Sequence, residues 1–379
     1  MTLIIYGQNL ADKSGQGFSN KRLQETFAKA AAHFRALQDA GKRVACFFMD
    51  PLLDYFEAGN RWYFQFLGCK NITRMNWYRT GAGPVCAVAD AKQLIDNDLY
   101  DAVFLFGLEP LLFAKKSKGR EVVQQAMDIF FGVSLLTCYN GLAEQLCRLY
   151  GLTTNDHAKL ADALFHNYAR TWRREDNENT EPPPRGRFMD DAGAPLFKLT
   201  DCANPNLDYG GGIILANKAS ADMLNIPEAE RIGVMYAAYS MVQADPLQLT
   251  AITGTREQPF PHLRAVFARM ASATGLILPA VHAQGALLLD AYTCYPPIPM
   301  GFLLAGGFIK HLKELPTFLE KHEITVNGGL NLYGAPWNNP VLSSLVTMRR
   351  RLIRQGGLGL VHGNGGMGEA QGLILLQRK

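Results

Sequence analysis

The chain has 379 residues, 48% of them hydrophobic and 19% charged, with a formal net charge of +4. That length supports two or three packed layers, or two domains sharing a core. The mild charge tolerates an acidic ligand but excludes a dedicated nucleic-acid binder, which would carry a basic domain with clustered Lys and Arg.

In chain order, the opening MTLIIYGQNLADKSG reads as a short strand (residues 3–6) and a polar loop. With no charged segment ahead of its apolar residues, it does not read as a signal peptide. Leu23, Phe27, Ala30, Ala31 and Phe34 recur on one face and predict a helix over 20–40; VACFFM (44–49) predicts a buried strand. GAGP (81–84) precedes a helical run (87–96) and the apolar strand DAVFLFGLEP (101–110). This strand–helix–strand alternation argues for a mostly parallel α/β sheet. Residues 141–171 read as helical, 172–195 as a charged, proline-rich surface excursion, and YGGGIILAN (209–217) as a returning strand.

The last third repeats the outline: a strand at 232–240, a helix at 261–274, LLLDAYTCYP, a glycine-rich loop VNGGLNLYGAPWNN (326–339), an amphipathic helix and two closing strands. In that last helix Leu342, Leu345, Val346, Leu352 and Ile353 form the buried stripe. Arg349, Arg350, Arg351 and Arg354 read as a solvated face rather than an anion site. The two similar halves suggest a pseudo-duplicated α/β fold.

No apolar run reaches the roughly 18 residues of a membrane span. Seven scattered cysteines, with no C-x-x-C pair, argue for reduced thiols in a reducing, cytoplasmic compartment and against structural zinc. No histidine–carboxylate spacing offers a metal site. GNGGMG (363–368) fits G-x-G-x-x-G, but only residues 369–379 come after it and they read as a strand. It is therefore a glycine turn between antiparallel strands, closely approached by a ligand or another backbone, and not a nucleotide loop. Cys86 reads as a buried inert thiol in a helix. Cys294 lies between two tyrosines and reads as a packed thiol, with a nucleophile as the sharper alternative. His362 ends an apolar strand before the glycine turn and reads as structural, with a catalytic or ligand-binding role as the alternative.

Together these segments resemble the thiolase superfamily, and within it the sterol-carrier-protein-type thiolases and their thiolase-like relatives. GAGPVCAVADAKQLIDNDLYDAVFLFGLEP resembles the nucleophile helix and its following strand, ending in Gly107–Leu108–Glu109. GLAEQLCRLYGLTTNDHAKLADALFHNYA resembles the loop domain that carries much of the coenzyme A contact, and LTDCANPNLDYGGGIILAN the segment that re-enters the core. LLLDAYTCYP, VNGGLNLYGAP and LVHGNGGMG stand where the family has its Asn-Glu-Ala-Phe or His-Asp-x-Phe motif, its Asn-x-Asn-Gly-Gly and Gly-His-Pro motif, and its second catalytic cysteine. The implied fold is α/β: duplicated mixed-sheet halves in αβαβα layers with an inserted loop domain. The corresponding division is an N-terminal half (1–135), a loop domain (136–200), the return of the first half (201–228) and a C-terminal half (229–379).

Thiolases acylate a cysteine at a helix N-terminus, activated by a histidine; a second cysteine moves the substrate proton. In this sequence the nucleophile position aligns with Gly81, the activating histidine with Ala335, the Asn or His of the fourth motif with Tyr292, and the second cysteine with His362. Residues 78–85 hold no cysteine, and Thr80, without a base, is a poor nucleophile. The resemblance therefore implies a thiolase-like protein without thiolase chemistry. It would bind coenzyme A, an acyl-CoA or an acyl carrier in lipid metabolism, with no tightly held cofactor, or serve as a non-catalytic subunit. Arg173, Arg174, Arg185 and Arg187 in the excursion would reach the phosphates of coenzyme A, with Asn204 and Gly334 near the ligand; a mobile solvated loop is the other reading of that excursion. Two further readings stand beside this one. An acyltransferase or thioesterase could use Cys294 as nucleophile and His362 as base. A structural subunit could form a homodimer, or pair with a thiolase-like or small accessory chain. Two states of the cleft are compatible with the sequence: open, or filled by Tyr292 and Trp337.

Overall fold

The computed structural model describes residues 1–378 except 54–73, 132–133, 176–180, 190–194 and 246–247. Nine strands, β1 (Leu3–Asp12), β2 (Val44–Met49), β3 (Met75–Tyr78), β4 (Ala102–Pro110), β5 (Asp208–Ala216), β6 (Ile232–Met241), β7 (Leu287–Asp290), β8 (Gly357–Gly365) and β9 (Ala370–Arg378), run in the order β3-β2-β4-β5-β1-β6-β9-β8-β7. The order contains one pattern twice. In the first half β5 lies antiparallel between β1 and β4, and β4 pairs in parallel with β2. In the second half β9 lies antiparallel between β6 and β8, and β8 pairs in parallel with β7. The halves meet where Leu3 and Ile4 of β1 pair with Gly233 and Ile232 of β6. The expected duplication is present, with mixed rather than mostly parallel sheets.

Helix α1 (Asn20–Asp39) covers the outer face of the first half. Ser19 accepts the Arg22 amide and starts the helix; its apolar stripe puts Phe34 edge-on to Phe104 at 4.6 Å. Helix α2 (Gly83–Asp96) starts with Pro84, pre-set for a first helical turn. Between β4 and β5 the chain forms α3 (Leu111–Lys118), α4 (Arg120–Phe131), α5 (Leu135–Tyr150) and α6 (Thr154–Arg174), so the expected boundary at 136 falls inside α5. Thr153 and Asp156 form a capping box on α6. Helix α7 (Pro261–Thr274) covers β6 and β9, α8 (Pro297–Ala305) is buried along its whole length, α9 (Leu315–Lys321) packs on α6, and α10 (Pro340–Gln355) lies beside α2. Both α2 and α10 touch strands of both halves, which makes them the middle of an αβαβα stack.

Three expectations need correction. Strand β1 continues through Asp12 where a polar loop was expected, because Gln8, Asn9 and Leu10 pair with the glycine run Gly212, Gly211 and Gly210 of β5. Asn9 is satisfied inside the fold by Ser343 and by the hydroxyl of Tyr209 at 2.7 Å. The arginines of α10 are not one solvated face. Arg349 and Arg351 are buried, donating to the carbonyls of Ile5, Glu230 and Val326, and Arg351 pairs with Glu175 at 2.7 Å. A middle-layer helix has protein on most sides, so Arg349 and Arg351 are buried while Arg350 and Arg354 stay exposed. Finally, the excursion begins later than residue 172. Trp172 is buried in α6, and Arg185 is clamped by Asp162 and Asp201 at 2.8 and 2.6 Å while lying over the Phe165 ring.

Candidate functional site

A cavity of about 230 Å³ opens at the N-terminal end of α2. The β7–α8 connection, the turn between β8 and β9, the 326–339 loop and the start of α5 converge on it. Of the positions singled out from sequence, Gly81, Tyr292, Cys294, Ala335 and Trp337 line it; His362 does not.

Gly81 stands just ahead of Ala82, the N-cap of α2, which makes no side-chain capping bond. The positive end of the helix dipole faces the cavity, yet no side chain fits. A Cβ on Gly81 would lie 2.4 Å from the Asn364 carbonyl oxygen and 2.6 Å from the Tyr292 hydroxyl. Tyr292 thus fills the space that a nucleophile on Gly81 would need. Its backbone N–H donates to His362 Nδ1 at 3.3 Å. Its hydroxyl has no hydrogen-bond partner among the described residues, and burial holds its pKa well above the usual phenol value, so it stays a donor.

His362 is buried behind this wall, stacked on Phe302 at 4.8 Å. Burial pushes its pKa down to about 3, so the ring is neutral. Cys294 does face the cavity, and its sulfur is 3.8 Å from Asn364 Nδ2. Burial pushes the thiol up to about 12, which keeps it protonated at neutral pH. His362 is engaged by Tyr292 and Cys294 by Asn364, and no hydrogen bond joins the two among the described residues.

The glycine-rich loop is held by its backbone. The Ala335 N–H donates to the Asn204 carbonyl at 2.8 Å, and the Asn204 N–H to the Leu330 carbonyl at 3.0 Å. Asn204 therefore anchors the loop, and its side-chain oxygen accepts from the Asn206 N–H. Gly334 takes a φ of +127° with Leu207 against its Cα, a conformation closed to other residues. Trp337 holds a φ of +47°, rare for a bulky residue, and lines the cavity beside Asn338. Asn338 is buried and donates to the Asp50 carbonyl at 2.7 Å.

None of the four arginines expected to reach coenzyme A phosphates lines this cavity. Arg173 pairs with Glu181 at 2.6 Å and Arg174 with Glu323 at 2.5 Å, and neither lines the cavity. What sequence reasoning missed is a polar network under the cavity floor. The Tyr139 hydroxyl donates to the Gly366 carbonyl at 2.8 Å and accepts from Asn364 Nδ2 at 2.9 Å, while Gln371 Nε2 donates to Asn364 Oδ1 at 3.1 Å. Tyr139 stacks on Tyr295 at 4.1 Å. Asn364 was legible as the polar residue inside the glycine turn; Tyr139 gave no signal, because it arrives from α5. Among the described residues no group of three His, Cys, Asp or Glu is placed to hold a metal.

No family model matches the chain, and no curated protein sequence matches it. Solved structures do. A monomeric SCP2-thiolase-like protein type 1 from Mycobacterium smegmatis superposes with a TM-score of 0.70 at 15% identity, over 100% of this chain and 77% of that one. The Ltp2-ChsH2(DUF35) aldolase gives 0.68 at 16%, over 100% and 98%. Human mitochondrial 3-ketoacyl-CoA thiolase in complex with CoA gives 0.67 at 14%, over 99% and 98%. At such identities the likeness is one of architecture, and it agrees with the duplicated, layered sheet: the chain has the thiolase fold.

Proposed function

We propose that the protein binds coenzyme A or a short acyl-CoA in the cavity at the start of α2 and does not carry out thiolase turnover. The observation behind this reading is the pairing of Gly81 with Tyr292: the helix terminus is open to a ligand, while the room for a nucleophilic side chain is taken by a phenol. At about 230 Å³ the cavity is small for a drug-sized ligand, which favours a thioester tip with a short acyl group. The complex of human mitochondrial 3-ketoacyl-CoA thiolase with CoA supports the ligand class. A role in lipid metabolism in a reducing, cytoplasmic setting goes with it, and an acyl carrier thioester is the same chemistry on a larger partner. The test is calorimetric titration with coenzyme A and acetyl-CoA, followed by an assay for thiol release. Micromolar binding without release supports the reading; release of thiol at enzymatic rates, or no binding of either ligand, overturns it.

A second reading rests on β3. Among the described residues it is an edge strand of the sheet, and Met75 and Trp77 on it are 52% and 46% exposed. These residues suit pairing with a second copy or an accessory chain, and the name of the Ltp2-ChsH2(DUF35) aldolase joins two components. Light scattering of the purified chain tests the homodimer: a doubled mass that Trp77→Lys halves supports it, and a monomer counts against it.

A further inference from the structure

A second cavity of about 230 Å³ lies against a different part of the 326–339 loop. Its wall is formed by Lys13, just past β1, Trp172 and Glu175 at the end of α6, Asn327 and Tyr333 of the loop, and Arg350 of α10. It shares no lining residue with the cavity at α2. We propose that this second cavity is a binding site for a small oxyanion, a phosphate or carboxylate group, held by Lys13, Arg350 and Asn327.

Three observations carry the inference. Lys13 lines the cavity, and its one hydrogen bond among the described residues is to the Leu332 carbonyl at 3.1 Å; it has no carboxylate partner there. Burial lowers its pKa by desolvation. Arg350 likewise has no carboxylate partner among the described residues and makes a long 3.5 Å contact to the Thr347 hydroxyl. Its three arginine neighbours on α10 all sit within ion-pair distance of a glutamate: Arg349 of Glu230, and Arg351 and Arg354 of Glu175. The one acidic wall residue, Glu175, is therefore already neutralised from outside the pocket. The third observation is Asn327, which is 7% exposed. Its Oδ1 accepts the Gly329 N–H at 3.1 Å, which fixes the flip and leaves the two Nδ2 hydrogens without a partner among the described residues. Two unpaired cations and one fixed amide donor in a single cavity form a complementary cradle for an oxyanion and for no cation.

The experiment is titration of the whole protein with inorganic phosphate and separately with malonate, against chloride at matched ionic strength, read by calorimetry. Saturable binding of phosphate or malonate beyond the chloride control is expected, and whichever binds tighter identifies the ligand as a phosphate or a carboxylate. Arg350→Gln, at an exposed position that does not endanger folding, should weaken binding at least about tenfold, as should Lys13→Met. Arg354→Gln, on the same helix but paired with Glu175, should leave it unchanged. Absence of saturable binding, or equal weakening by Arg350→Gln and Arg354→Gln, overturns the proposal.

Discussion

Replacing Gly81 by alanine isolates the collision that leaves no room for a side chain at position 81. The new methyl carbon would sit 2.4 Å from a backbone oxygen, that of Asn364, and 2.6 Å from the Tyr292 hydroxyl. Gly81 is not among the positive-φ glycines, so its backbone conformation suits alanine. On backbone entropy alone the substitution should gain about 0.4–1 kcal/mol. Overpacking works against this, at a cost of about 1–3 kcal/mol. The net expectation is a loss of about 1–2 kcal/mol, seen as a lower urea midpoint with an unchanged slope. Tyr292→Phe removes one of the two colliding oxygens and leaves the other in place. In that background the alanine penalty should shrink by about 0.5–1.5 kcal/mol without vanishing. Gly81→Ala with wild-type stability or better would refute the reasoning, because position 81 would then have room for a side chain. For the same reason Gly81→Cys combined with Tyr292→Asn should show no thiolase turnover: the Asn364 carbonyl remains, and Ala335 offers no base.

Other parts of the molecule make separate predictions. Arg351→Met leaves the Val326 carbonyl and the Glu175 carboxylate short of a donor and should cost about 3 kcal/mol by denaturant titration, whereas Arg350→Gln in phosphate-free buffer should stay within about 0.5 kcal/mol of wild type. Glu109 is fully buried, and desolvation raises its pKa from 4.5 to about 8. The folded state then holds a proton that the unfolded chain has released. Its contribution to stability is complete below pH 4.5 and is lost as pH rises to about 8, at up to about 1.4 kcal/mol per pH unit. Glu109→Gln should flatten that slope; an unchanged slope would assign it to other groups. Cys294, with its thiol pushed up to about 12, should resist iodoacetamide at pH 8 in the native protein and react on unfolding. Rapid native labelling, mapped to Cys294 by mass spectrometry, would revive it as a nucleophile.

Much of the fold was written locally. The 3.6-residue spacing of Leu23, Phe27 and Phe34 and the run VACFFM each specify an element through burial period, and both stand in the structure; the helical run at 87–96 also stands, but its helix begins earlier, at Gly83. GNGGMG was also legible locally, because the segment after it is too short for a helix and a second strand, and β8 and β9 close around it. Residues whose conformation depends on a partner from elsewhere in the chain were misread. Gln8 and Asn9 look like loop residues until β5 supplies glycines beside them, and Arg349 and Arg351 look solvated until the second half of the molecule covers α10.

The site divides in the same way. Sequence by itself determined that residues 78–85 hold no cysteine and that the 326–339 loop carries no histidine, since both are matters of which residues are present. Only the tertiary structure decided that Tyr292 occupies the space above Gly81, that Tyr139 and Gln371 hold Asn364 beneath the cavity, and that Lys13 and Arg350 face one pocket without a carboxylate partner among the described residues. Those placements bring together residues as far as 337 positions apart along the chain. Their energies come from desolvation and close packing, which exist only once the two halves and the helices between them have closed on one another.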